Sequence, residues 1–163
     1  MDVNLTRPEF SAEDLLTTSC AVLTATEAGQ PLGCLVASVM PVGYRSGRLA
    51  LGLDDGSRTA RAVRRGGALG LHVLDPDDLT TARAFASPAE DPAQRFAGIP
   101  WTPGELGVPV LTGAVAAVEA LVSASHRAGP CVLVDAVVTA WHGNPAPGAR
   151  GMTIFHARRA GLE

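Results

Sequence analysis

The sequence predicts a mainly β fold, an antiparallel barrel with short helices inserted between its strands. Six or seven apolar or β-branched runs are separated by Gly- and Pro-containing turns. Two of these runs, Val108 to Ser125 and Pro130 to Trp141, are long and flank Arg127-Ala128-Gly129 as the arms of a hairpin. The helical stretches are few and short, which favours a barrel over a doubly wound parallel sheet. A length of 163 residues fits one domain, residues 1–163. Hydrophobic residues are 47% and charged residues 18%, which excludes intrinsic disorder. Aromatics are only 4%, so the core is expected to be built from Ala, Val and Leu.

The chain starts with a helical lead-in over residues 1–18, where Ser11 is placed to cap Ala12 to Leu16. Cys20 to Thr26 is the first strand, and Glu27 to Pro31 turns into a second, Leu32 to Val42, with Pro41 marking a sheet edge. After the Gly43 to Gly47 loop, Arg48 to Leu53 is a third strand. Ser57 then caps a short helix that Gly66-Gly67 ends. Ala68 to Leu74 is a fourth strand and Pro76 to Ala86 a helix. Residues 87–107 carry Pro88, Pro92, Pro100 and Pro103 and read as an irregular loop with one short helix near Ala93 to Ala97. The hairpin follows, then a Pro/Gly loop, and Met152 to Ala157 reads as a last strand.

Charge and composition narrow the function. Thirteen Lys+Arg against sixteen Asp+Glu give a net charge of −3, which argues against a nucleic-acid partner. No apolar run approaches the roughly 20 residues of a membrane span, and the polar start Met1-Asp2-Val3-Asn4 lacks a signal-peptide pattern. Cys20, Cys34 and Cys131 are an odd number at no metal-ligand spacing. The expectation is a cytoplasmic protein with reduced thiols, without metal and without membrane attachment.

The best local candidate for chemistry is Ser57-Arg58-Thr59. Two hydroxyls and a guanidinium stand where a helix begins, so free N–H groups and the helix dipole favour an anion. Arg61, Arg64 and Arg65 extend positive charge along the helix. The same residues also read as an ordinary cap with a solvated basic face. His72 and His156, each in an apolar strand pattern, read as hydrogen-bonded structural histidines, and no HExxH or short His pair points to zinc. Cys131 reads as a nucleophile if His126 or another base folds beside it, and otherwise as a small buried hydrophobe. Trp101 and Trp141 are expected to pack or to close a pocket rim. There is neither a GxSxG nor a GxGxxG.

Taken in order, these pieces resemble the flavin reductase-like family, whose fold is the FMN-binding split β-barrel and whose members are small reductase components of two-component flavin monooxygenases. The resemblance runs from about Ser19 to His156. Cys20 to Ala25 is similar to the family's V-T-V-V-T-A, and Pro31-Leu32-Gly33 to its P-x-G. Ser57-Arg58-Thr59, Gly67 and Val73-Leu74 match S-x-T followed by G-x-F-x-V-N-V-L. Phe85-Ala86 matches F-A. Arg95 to Gly98, Trp101, and Gly107 to Ala114 match R-F-A-G, W and G-x-P-V-L-x-G-A, and Ile154-Phe155-His156 resembles V-Y-H.

The resemblance implies FMN or FAD as bound flavin and NAD(P)H as co-substrate. Ser57, Arg58 and Thr59 would hold the flavin phosphate, and Leu35, Val36, Ala37 and Ser38 would line the ring. His156 would lie near the nicotinamide. It implies a homodimer and a flavin-dependent monooxygenase as partner. Two motifs depart from the pattern. The segment M-T-x-[NS]-S-F-x-S-V-S-x-x-P-P reads Cys34 to Gly47 here, with Leu35, Ala37 and Pro41 in place of polar residues and only Ser38 kept. The G-D-H associated with the nicotinamide reads Gly129-Pro130-Cys131. Three functions therefore stand open. The first is an NAD(P)H:flavin oxidoreductase. The second is a flavin-free, reductase-derived biosynthetic protein with an apolar small-molecule pocket, acting as a cyclase-like enzyme or a monooxygenase accessory. The third is a non-catalytic carrier of flavin or another ligand.

Overall fold

Seven strands form one antiparallel sheet in the order β2-β1-β5-β8-β9-β4-β3. The computed structural model describes residues 18–162. The strands are β1 (Ala21–Glu27), β2 (Gln30–Val36), β3 (Val39–Val42), β4 (Arg48–Asp54), β5 (Ala68–Val73), β8 (Ala116–Ala128) and β9 (Cys131–His142). Short strands β6 (Trp101–Pro103) and β7 (Pro109–Leu111) make a separate pair. The helices are α1 (Arg58–Gly66), α2 (Leu79–Ala86) and α3 (Ile154–Arg159), and Pro92–Phe96 is a 3-10 turn. The helical lead-in capped by Ser11 lies outside the described residues.

The two edge strands of this sheet, β2 and β3, are neighbours in sequence, separated only by Ala37 and Ser38. A flat sheet cannot place consecutive strands at opposite edges across so short a link, so the sheet curls until its edges meet. The single strand expected over Leu32 to Val42 is thus two strands. The break at Ala37-Ser38 is the seam of the barrel, where the Gly52 amide donates to the Ser38 carbonyl at 2.8 Å. Pro41 sits in edge strand β3, where its missing N–H costs no ladder bond.

The barrel interior is wholly aliphatic, as the composition requires. Leu23, Leu32, Leu51, Leu53, Leu69 and Val134 are its buried centre, and α1 adds Ala60 and Val63. Aromatic residues gather in a second cluster outside the barrel, where Phe85 and Phe96 meet edge to face at 5.0 Å and Trp101 joins Phe96 at 5.8 Å. Trp141 is 74% exposed and is not packed into the core.

Local signals explain the elements. Ser57 Oγ accepts from the Ala60 amide at 3.1 Å to cap α1, and Gly67 ends the helix at φ 68°, a left-handed value natural for glycine. Helix α2 begins later than expected, at Leu79, because Asp78 captures the Thr81 amide at 3.1 Å and Pro76 is left in the preceding turn. The stretch expected to run unbroken from Val108 to Ser125 is divided into β7 and β8 by a turn near residues 112–115. Residues 154–157 are helical rather than extended. Thr153 caps them, its amide donating to His156 Nδ1 at 3.1 Å.

Two of the quoted motifs meet in space at Gly33. A Cβ there would stand 2.6 Å from Phe85 Cε1 and 3.0 Å from the Leu23 carbonyl oxygen. The ring of α2 therefore rests directly on the backbone of β2. Gly33→Ala is expected to destabilise the fold by about 1–3 kcal/mol through overpacking, read as a lowered urea midpoint. An unchanged midpoint would mean that Phe85 swings aside freely.

Candidate functional site

The curled sheet brings the two halves of the expected site together. Residues 34–38 form the seam, and α1 starts directly behind it. Helix α1 packs against β2, and Thr59 stands close enough to Cys34 to favour its thiolate form. Thr59 is buried, and Cys34 is partly so. Burial pushes the Cys34 thiol up, against the opposing effects of Thr59 and of the Arg95 charge. Cys34 is therefore a neutral thiol at physiological pH.

Beside the seam is a cavity of about 250 Å³ bounded by Cys34 to Ala37, Cys20, Phe85-Ala86, Ile154, Leu162 and Arg95. Arg95 is the only charged side chain in that lining. It is tied to the seam strand, Nη1 donating to the Gly33 carbonyl at 2.5 Å and Nε to the Ser87 carbonyl at 3.1 Å. The Cys20 thiol is pushed up to about 11 by burial, which makes it a packing residue rather than a nucleophile. The changes to Leu35 and Ala37 thus give an apolar wall whose polar groups belong to the backbone.

At the start of α1, Ser57 spends one lone pair on the Ala60 amide and keeps its proton for another acceptor. Arg58 is exposed and paired with Glu27, Nε to Oε2 at 2.7 Å, and that pairing holds the Glu27 carboxyl below its usual range. The amides of Arg58 and Thr59 lie in the first helical turn, where no intrahelical acceptor exists for them. This set of N–H, O–H and guanidinium groups suits a phosphate, and the apolar seam with its backbone groups suits a flat heteroaromatic ring. The donor set fits a flavin, with hydroxyls and amides at one end and a ring wall at the other.

The remaining expected residues lie elsewhere. Ser38 is exposed at the seam and packs against Gly52. Cys131 is at the hairpin tip opposite Ala128 and Asp54, while His126 pairs with Leu133 further along. No hydrogen bond joins Cys131 to His126 among the described residues. His156 has its Nδ1 engaged by Thr153, and Ile154 rather than His156 borders the cavity.

A buried polar cluster on the outer face of the sheet was not anticipated. Glu119 on β8 is fully buried, and its carboxylate accepts from the Glu105 amide at 2.9 Å, the Leu106 amide at 2.7 Å and His142 Nε2 at 2.7 Å. Burial pushes this carboxyl up, but the two amides and His142 outweigh it and the net shift is downward. Thr24 and Thr26 pin the same flap, donating to the carbonyls of Pro109 at 2.6 Å and Gly107 at 2.9 Å. A lone acid within an apolar run, as in Ala117-Val118-Glu119-Ala120, was the available signal.

His72 is the second buried member. Its Nδ1 is 3.0 Å from the Val22 carbonyl and its Nε2 has no partner. Burial, with smaller opposing effects, lowers its pKa to about 4. The folded pKa lies below the unfolded one, so the unfolded chain takes up the proton first as pH falls. Stability is then expected to drop between about pH 6.5 and pH 4, by on the order of 3 kcal/mol. Urea midpoints at pH 7 and pH 5 read this directly. His72→Leu should flatten the difference, and an equally steep loss in that variant would assign it to other groups.

Comparison with known proteins matches residues 14–161 to the flavin reductase like domain family. A reductase subunit of a flavin-dependent monooxygenase from Rhodococcus jostii is 30% identical over 112 residues, covering 69% of this chain and 56% of that protein. An NADH flavin reductase from Kitasatospora aureofaciens is 31% identical over 128 residues, covering 77% of this chain and 64% of the other. This chain thus spans less than two thirds of the length of these relatives. Among solved structures, an NADH:FAD oxidoreductase from Streptomyces globisporus, in complex with NAD and FAD fragments, superposes with TM-score 0.74 at 22% identity, covering 85% of this chain and 81% of that one. Nitrilotriacetate monooxygenase component B from Mycobacterium thermoresistibile superposes with TM-score 0.73 at 23% identity, covering 83% and 73%. At these identities the superpositions establish the shared split-barrel fold.

Proposed function

The chain belongs to the flavin reductase-like family, and from that premise we propose that it is an NAD(P)H:flavin oxidoreductase supplying reduced flavin to a partner monooxygenase. The observation that carries the reading is the packing of α1 on β2, which sets the S-x-T helix behind the seam strand. Bound flavin would supply the hydride acceptor and the nicotinamide the hydride, and the protein's part would be to hold and orient the two rings.

The chain's own residues then have separable tasks. Ser57 and Thr59 and the first amides of α1 bind the flavin phosphate, with Arg58 supplying charge offset by Glu27. Leu35, Val36, Ala37 and Ser38 line the ring through backbone groups and apolar surface. The apolar wall excludes water from the ring face, and Arg95 holds the seam strand in place through Gly33. Neither the acid nor the imidazole of the family's G-D-H is present, since Gly129-Pro130-Cys131 occupies that position. Hydride transfer needs no proton from those groups, so orientation alone suffices for turnover.

Residues 1–163 act as one domain in this reading, and two copies associate. Leu121 and Leu133, 45% and 49% exposed on β8 and β9, are apolar side chains that such an association would cover. A titration with FMN and FAD, followed with NADH in the same cuvette, separates the readings. Micromolar binding with NADH oxidation supports the reductase, and binding without oxidation indicates a carrier. No binding at about 100 µM, equivalent to about −5.5 kcal/mol, leaves the apolar cavity as a site for another small molecule.

A further inference from the structure

On the exposed flank of α1 lies a basin of about 510 Å³. Arg61, Arg64 and Arg65 come from α1, Ser125 and Arg127 from β8, and Asp55 from the turn before α1. Positions 61, 64 and 65 form one stripe of the helix. The Asp55 amide donates to the Pro130 carbonyl at 3.1 Å, which docks the turn on the hairpin tip and draws Arg127 into the same wall.

Four guanidiniums line the basin with one carboxylate, Asp55, and the charge of Glu27 reaches Arg61 and Arg65 from outside its lining. Asp55 pairs with Arg64 at 2.5 Å and with Arg127, and Arg61 donates to the Gly56 carbonyl at 2.6 Å. The side chain of Arg65 makes no hydrogen bond or ion pair among the described residues. Each guanidinium has five donors, so most of their hydrogen-bonding capacity is unspent. The chain carries a net charge of −3 and no lysine, so this is a local excess of arginine against an acidic whole. Arginine is the residue whose planar fork grips phosphate oxygens in pairs. Packing like charges this closely is unfavourable until an anion sits among them.

We propose that this basin is a second anion site, one that takes a multiply charged phosphate group, a diphosphate or a phosphate monoester, apart from the Ser57-Thr59 end of the helix. The site stands independently of flavin reduction. Its phosphate arrives either on the nucleotide half of a flavin dinucleotide or on a nicotinamide dinucleotide.

The test is calorimetric titration of the whole chain with inorganic pyrophosphate at low salt. Arg65→Ala and Arg83→Ala form a charge-matched pair, Arg83 being exposed on α2 and outside the lining of the basin. Arg65→Ala is expected to weaken pyrophosphate about tenfold and Arg83→Ala less than about twofold, because only a contacting charge acts at short range. Arg61→Ala with Arg65→Ala should abolish the pyrophosphate binding that a Ser57→Ala, Thr59→Ala protein retains, while a circular dichroism melt shows α1 intact. Displacement by FAD but not FMN assigns the phosphate to the flavin dinucleotide, and displacement by NADPH but not NADH assigns it to a nucleotide 2′-phosphate. No pyrophosphate binding by wild type, equal affinity in wild type and Arg65→Ala, or equal losses in Arg83→Ala and Arg65→Ala, would overturn the proposal. None of these results bears on whether the chain reduces flavin.

Discussion

Replacing Ser57 and Thr59 together by alanine is expected to weaken FMN binding about 30- to 1,000-fold. Each hydroxyl supplies one hydrogen bond to a charged acceptor, and such bonds are worth about 1–2 kcal/mol apiece. Part of the loss is conformational. Ser57 caps α1, and removing a cap costs about 1 kcal/mol of stability. Thr59 also stands close to Cys34 where α1 packs on β2, so its loss loosens the join between helix and seam. Cys131→Ala, at the hairpin tip, serves as the control and should leave affinity within about twofold of wild type. Flavin fluorescence titration checks both variants. Equal losses in the two would remove the phosphate-binding role from Ser57 and Thr59.

Glu119→Ala should be the most destabilising single change, by about 3 kcal/mol or more. It strands the amides of Glu105 and Leu106 beneath the flap and leaves His142 without its acceptor. The space it vacates lies against Gly104, whose Cα packs so closely on the carboxylate that no Cβ fits there. Glu119→Gln keeps the shape and loses the charge, with an expected cost of about 1–2 kcal/mol. Hydrogen exchange at residues 105 and 106 should speed up in both variants, more in the alanine. The carboxyl is held below its usual range in the fold, so its contribution is present above the unfolded pKa and lost as pH falls through the folded one. Wild type should therefore lose more stability in acid than Glu119→Gln does. Parallel acid curves for the two proteins would show that Glu119 is not the titrating group.

Much of this architecture could be read locally. The cap at Ser57, the left-handed Gly67 and the turn at Gly129-Pro130 each carry their own signal, and α1, β4, β5 and the long hairpin follow from them. The seam did not announce itself. Leu32 to Val42 is one apolar run, and what breaks it is the closure of the sheet, a demand imposed by β4 and β9 from elsewhere in the chain. The end of the chain misled for a different reason. Met152 to Phe155 has strand-like composition, yet Thr153 with His156 three residues on makes a cap in which a histidine stands where a Glu or Gln is usual.

The candidate site was legible in type and only partly in place. Residues 34–37 line the cavity and α1 packs on the same strand, while Cys131 and His156 stay apart from the cavity. Glu119 escaped notice because its partners lie 13, 14 and 23 residues away along the chain and become neighbours only when the flap folds over the sheet.

The most direct test of the reductase reading is anaerobic mixing of the protein with NADH or NADPH and excess FMN or FAD, followed by the bleaching of flavin absorbance. The account predicts catalytic bleaching matched by nicotinamide oxidation, with the rate falling in the Ser57→Ala, Thr59→Ala double variant. Flavin that stays oxidised with either nicotinamide, at concentrations where it is demonstrably bound, would contradict it.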